Sequence, residues 1–211
     1  MIGLRLPDGP LQVLCLAAHP DDVEIGCGGT LLSFASRPQT TVTFATLTGT
    51  PERQDEARAA AEAFVPGAAS RFWKLPDGRL PAHWGEVKQA LEDLATEVRP
   101  DVVLCARRDD AHQDHRLVSE LVPTVWRDAL VLEYEIPKWD GDLGAVDTYV
   151  PVSPDLAHRK VALLSQHYGS QVGRDWWDDE VFLGLMRLRG MECRGTYAEA
   201  FVARKATLLV P

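Results

Sequence analysis

Seven consecutive residues, Ala18-His19-Pro20-Asp21-Asp22-Val23-Glu24, carry one imidazole and three carboxylates. They directly follow the apolar run Leu11 to Ala17, which reads as a buried strand. So many ionisable groups at a strand end are costly unless a cation or a reaction uses them. His19 and Asp22 suit a metal ion and leave Asp21 free as a base. A hydrolytic zinc site needs three His or Asp/Glu ligands and one open position for water. The third ligand can come from His112-Gln113-Asp114-His115, which follows a second apolar run at 101–106. One of its two histidines can bind metal, and the other can polarise a carbonyl or, as an imidazolium, protonate a leaving group. Asp114 between them can fix an imidazole tautomer. Neither segment contains cysteine, unlike the thiolate-rich sites where zinc is structural. The constellation suits metal-dependent hydrolysis of an amide or ester.

Both segments must be carried by elements that make them converge. Strand candidates at 11–18, 41–47, 70–75 and 101–106 alternate with helix candidates at about 27–36, 52–64 and 84–98. The last of these helices puts Val87, Ala90, Leu91 and Leu94 on one face. A helix from about 115 meets Pro123, which should interrupt or kink it. Strands at 129–136, 147–152 and 196–204 and helices at 154–167 and about 177–189 complete the pattern. Repeated β-then-α units predict an α/β fold with a mostly parallel sheet covered on both faces. In such sheets ligands bind beyond the C-terminal strand ends. Placing the first and fourth strands side by side would bring the two polar segments together.

The 211 residues are 45% hydrophobic and 25% charged, the balance of an ordinary globular protein, and are expected to form one domain over 1–211. A net charge of −9 argues against nucleic acid or an anionic membrane as partner. No apolar stretch reaches the ~18–20 residues of a membrane span. Residues 1–10 lack a secretory pattern, and Cys15, Cys27, Cys105 and Cys193 are scattered, so a reducing cytoplasm is the expected compartment. Gly26-Cys27-Gly28-Gly29 is not a dinucleotide fingerprint, because Leu31 stands where the third glycine belongs. It is better read as a place of close backbone packing. Asp140 to Gly144 reads as a surface loop, and His83, His158 and His167 stand alone. Trp139, Trp176 and Trp177 are expected in the core, with a sugar-stacking wall as their functional alternative.

The first segment, continued by Ile25-Gly26-Cys27-Gly28-Gly29-Thr30-Leu31, resembles the opening signature of the PIG-L/LmbE-like de-N-acetylase family. The H-x-D-H of residues 112–115 resembles its second motif. Arg53 and Glu56, Ser165-Gln166, and Tyr197-Ala198-Glu199-Ala200-Phe201 extend the likeness over nearly the whole chain. The resemblance implies a Rossmann-like three-layer α/β sandwich. It also implies a zinc-dependent hydrolase that removes an acetyl or other acyl group from an amino-sugar nitrogen, with metal-bound water attacking the amide carbonyl. It makes His19, Asp22 and His115 the zinc ligands, in a set that also suits iron(II). Asp21 becomes the general base. His112 becomes the group that stabilises the oxyanion or assists the leaving amine, with Asp114 orienting it, and Arg53 contacts the substrate. The implied partner is a small N-acetylated sugar conjugate, with room left for a homo-oligomer. A deacylase of a non-sugar amide and a non-catalytic metal- or sugar-binding member of the fold are the alternatives.

Overall fold

In the computed structural model, which describes residues 2–208, the chain runs as a seven-stranded sheet in the order β3-β2-β1-β4-β5-β7-β6. The strands are β1 (Leu11–Ala17), β2 (Thr40–Thr46), β3 (Ala69–Phe72), β4 (Val102–Ala106), β5 (Leu130–Tyr134), β6 (Thr148–Val152) and β7 (Tyr197–Val202). Pairings among β1 to β5 are parallel. β7 lies antiparallel between β5 and β6. The helices are α1 (Asp22–Ala35), α2 (Pro51–Phe64), α3 (Trp84–Glu97), α4 (Gln113–Val125), α5 (Pro154–His167) and α6 (Asp179–Glu192).

Side-chain alternation makes this three layers. In β1, Leu11, Val13, Cys15 and Ala17 join the core beneath α1, α2, α5 and α6. Leu14 and Leu16 face the opposite core, with Val87 and Leu91 of α3 and Val118 and Leu121 of α4. β4 splits likewise, with Val102, Leu104 and Ala106 on one side and Val103 and Cys105 on the other. Period-two placement with both faces covered is what continuous apolar runs in a parallel sheet encode. α2 and α5 each start on a hydroxyl cap followed by proline, Thr50-Pro51 and Ser153-Pro154, and both cap oxygens accept a main-chain N–H.

Two elements differ from expectation. α1 begins at Asp22, not near 27. Acidic Asp22 and Glu24 in its first turn favour the positive end of the helix dipole, which the run of glycines after them obscures in the sequence. α4 continues through Pro123 to Val125; the proline removes its own N–H from the ladder, and the next turn still closes with Trp126 N donating to Val122 O. A 3-10 turn at Leu80–His83 carried no periodic signal. No helix among the described residues is long and apolar enough to cross a membrane.

β1 is the switch point of the sheet. The chain winds outward from it through β2 to β3, then returns to place β4 on its other side. The register Val13↔Val102 to Cys15↔Leu104 sets the C-terminal ends of β1 and β4 side by side, which is where both polar segments emerge.

Candidate metal centre

The turn after β1 is fixed before any ligand arrives. Leu47 N and Thr48 N donate to Ala17 O and Ala18 O, and Thr48 Oγ1 donates to Ala18 O at 2.8 Å, extending the β1–β2 pairing up to His19. Asp21 then adopts a left-handed backbone, φ 95°, as the N-cap of α1. That conformation costs a non-glycine residue about 1–2 kcal/mol, and such strain collects at functional sites. The turn folds Asp22 back, so that its Oδ2 accepts from His19 N at 2.8 Å.

Three candidate donors meet here. His19 Nδ1 lies 3.1 Å from His115 Nε2 and 3.6 Å from Asp22 Oδ2, and His115 Nε2 lies 3.3 Å from Asp22 Oδ1. Donors around a tetrahedral zinc at ~2.0–2.1 Å stand roughly 3.4 Å from one another. His19 Nδ1 and His115 Nε2 stand close to that spacing, and the Asp22 carboxylate faces each of them with a different oxygen, all on buried residues. The electrostatics agree. Burial opposes charge on His19, but hydrogen bonds to Asp114 and Asp22 override it and push its pKa up to about 12. Burial likewise opposes charge on His115, and the Asp22 carboxylate with Asp110 brings it to about 9. Burial also works against the Asp22 anion, yet His115 and His19 hold it well below the carboxylate range. An imidazole must be deprotonated at the nitrogen that binds a metal, so metal uptake at these residues is coupled to proton release.

The far nitrogen of each imidazole is backed by a carboxylate. His19 Nε2 lies 3.2 Å from Asp114 Oδ2, and Asp114 is itself fixed by the N–H groups of Gly78 and Leu80. His115 Nδ1 stands 3.1 Å from Asp110 Oδ2, although without the alignment of a full hydrogen bond. Lys138 Nζ lies 3.0 Å from that same oxygen. Such backing carboxylates set ring orientation and typically contribute about 10–100-fold to metal affinity. Asp110→Asn and Asp114→Asn are each expected to weaken zinc binding by about that factor. Titration of the metal-free proteins against a competing chelator reads the change, and unaltered affinity in both would reject the role.

His112 stands apart from the ring of donors while touching it. Its imidazole stacks on His115 with centroids 4.7 Å apart and meets His19 edge-on, also at 4.7 Å. It is the N-cap of α4, and its Nδ1 accepts the Asp114 N–H at 3.2 Å. A neutral His112 therefore carries its proton on Nε2. Burial, followed by the charges of His115 and His19, lowers its pKa and keeps it neutral. The expected pairing with Asp114 is thus corrected in detail. Asp114 orients His112 through its main-chain amide, while its carboxylate serves His19, drawn there by the Gly78 and Leu80 amides.

Asp21 is also buried, and its Oδ2 accepts from Arg53 Nη2 at 2.8 Å. Burial pushes the Asp21 carboxyl up to about 7, with Arg53 pulling the other way. Arg53, expected to meet substrate, grips Asp21 and Pro20 O through Nη2 from the first turn of α2. Asp77, Asp110 and Lys138 escaped the sequence reading. Asp77 Oδ1 approaches His19 Nε2 at 3.1 Å from the loop after β3, with its side chain 60% exposed. Asp110 alone had a legible signal, two residues ahead of His112 in an acidic loop. Among the described residues, His19, His112 and His115, and separately His19, Asp77 and Asp114, each bring one donor atom apiece within 4.8 Å of each other.

Comparison with known proteins places this arrangement. An uncharacterized deacetylase, YaiS of Escherichia coli K12, is 27% identical over 169 residues, covering 74% of this chain and 89% of that protein. The crystal structure of the conserved protein TT1542 from Thermus thermophilus superposes with a TM-score of 0.74 at 26% identity, over 95% of this chain and 98% of the other. The N,N'-diacetylchitobiose deacetylase of Pyrococcus horikoshii shares the fold, with a TM-score of 0.72 at 20% identity, over 90% of this chain and 82% of that one. The profile of the PIG-L family, described as GlcNAc-PI de-N-acetylase, matches residues 14–126, a span running from β1 through α4 that carries both polar segments. The chain belongs to the PIG-L de-N-acetylase family.

Proposed function

We propose that this protein is a metal-dependent hydrolase that removes an N-acetyl group from an amino-sugar conjugate. The observation that carries the reading is the convergence of His19 Nδ1, Asp22 and His115 Nε2 at 3.1–3.6 Å, with Asp21 and His112 beside them. His19, Asp22 and His115 would hold the ion. His112 is the poorer ligand, because its Nδ1 already receives the Asp114 N–H. Zinc is the ion proposed, and elemental analysis of protein purified without added metal decides between it and iron(II), which the same donors suit. When bound, such an ion acts as a Lewis acid on water and on the amide carbonyl.

The chain's own groups do the rest. Asp21 accepts a proton from the attacking water and returns it to the departing nitrogen. His112 offers Nε2–H to the carbonyl oxygen as negative charge develops there. Arg53 holds Asp21 in place from the side. Water adds across the C–N bond, giving free amine and acetate.

The sugar substrate is supported by the names of fold relatives, a diacetylchitobiose deacetylase and a teicoplanin deacetylase solved in a zinc-inhibited form. The test is release of free amine from N-acetylglucosamine conjugates by metal-loaded protein. Release that stops on chelation and returns with zinc is the expected result. Metal-loaded protein that leaves every such conjugate intact while hydrolysing simple N-acyl amides would reject the sugar.

A further inference from the structure

Helix α1 is broken just behind the candidate ligands. At Cys27 the backbone leaves helical geometry, φ −145° and ψ 26°, so Asp22–Gly26 and Gly28–Ala35 are two segments joined at an angle. A break inside a buried helix exposes polar main-chain groups that must find partners. Here one ion pair supplies them. Lys160 Nζ, from α5, donates to Ile25 O at 2.6 Å and to Glu199 Oε1 at 2.7 Å. Glu199, from β7, accepts Gly29 N on one oxygen at 2.8 Å and Thr30 N on the other at 2.6 Å. The cation thus caps the end of the first segment, and the anion caps the start of the second. Both side chains are almost fully buried, at 2% and 3% exposure.

The glycines around the break show how closely its backbone is packed. A Cβ on Gly26 would lie 2.3 Å from Tyr134 Cδ2, and one on Gly28 would lie 2.8 Å from Phe64 and 3.0 Å from Lys160 Cγ. The backbone at the break is pressed against β5, α2 and α5, with room for hydrogen but not for a Cβ. A buried ion pair contributes little stability compared with apolar side chains of the same size. That each charge is also bonded to main chain points to a directional task.

We propose that Lys160 and Glu199 are positioning residues that set the aim of the first segment of α1, and with it the direction of Asp22 toward the metal and of Asp21 toward the substrate. The proposal rests on the functional reading above for what the segment does, and on the hydrogen bonds for how it is held. It also accounts for Glu199 at the centre of Tyr197-Ala198-Glu199-Ala200-Phe201, a motif no step of the reaction uses.

The test is zinc affinity of the metal-free protein, measured by chelator competition without substrate. A wrong substrate assignment leaves this readout intact. Glu199→Gln keeps the side-chain shape but turns one of its acceptor positions into a donor facing amide N–H groups. It is expected to weaken zinc binding about 10–100-fold, and to lower kcat at saturating zinc with little change in KM. Lys160→Met leaves Glu199 its two amides and should weaken affinity by about tenfold. Val87→Ala, in the opposite core, is the control for general destabilisation and should bind zinc as the wild type does. Affinity within twofold of wild type in both folded variants, or an equal loss in Val87→Ala, would overturn the proposal. Loss of fold in both Lys160→Met and Glu199→Gln would make the pair a stability element and overturn it equally.

Discussion

Replacing Asp21 by asparagine is expected to lower kcat by about 10²–10⁴-fold, the range for loss of a positioned general base, while the protein keeps its metal. Asn retains an oxygen for Arg53 but cannot take the proton from water. Asp22→Asn should behave differently, losing metal first and activity as a result, so metal content separates the neighbouring carboxylates. The pH dependence has a definite sign. In the metal-free protein, burial raises the Asp21 carboxyl from 3.8 to about 7. The same shift means that the folded metal-free protein favours protonated Asp21. Stability from this group is full below the ordinary carboxylate range and declines as pH rises through about 7. Asp21→Asn escapes that decline. Thermal unfolding of both metal-free proteins at pH 5 and pH 8 should show the variant gaining relative to wild type at the higher pH. A metal-replete Asp21→Asn with near-wild-type kcat would assign the base elsewhere.

His112→Ala is expected to cost roughly 3–4 kcal/mol of transition-state stabilisation, as for removal of one oxyanion donor. The loss should fall on kcat and kcat/KM alike, with metal content unchanged, because the donor acts when charge develops and not on ground-state binding. Burial lowers the pKa of His112, which favours a neutral N–H donor over the imidazolium that its sequence also allows. Alkaline loss of activity should therefore not track this side chain. Kinetics and metal analysis on the same preparation test both points. A rise in KM alone would make His112 a substrate-binding group.

The elements legible in the sequence are those whose burial follows one rule along their length. Continuous apolar runs gave β1 and β4, and α5 was bounded correctly at Pro154 and His167 because its cap and its apolar spacing coincide. The three proposed metal donors were legible because a turn and a helix start compress them into two short segments. Asp77 and Lys138 were not, since each reaches the site from a loop whose path is set by tertiary contacts, and Asp110 showed only as one acid in the loop ahead of His112. Asp114 shows the limit within a motif. Its spacing from His112 suggested a side-chain bond, but the amides of Gly78 and Leu80, 34 to 36 residues away, draw the carboxylate toward His19. The start of α1 was hidden by glycines whose role becomes visible only against Tyr134 and Phe64.

Strand β7 enters the sheet between β5 and β6, although it follows both in the chain. Its Glu199 closes the break in α1, which lies 169 to 170 residues earlier. A nascent chain that has emerged from the ribosome through β6 therefore holds every candidate metal donor but not the carboxylate that steadies them. Between β5 and β6 it also keeps a gap in the sheet with unpaired edges on either side. Assembly order is thus written into the topology. The strand that seals the sheet also delivers Glu199, so capture of a cation in its final geometry waits for β7, and a chain cut short before Tyr197 would present the ligands without their alignment.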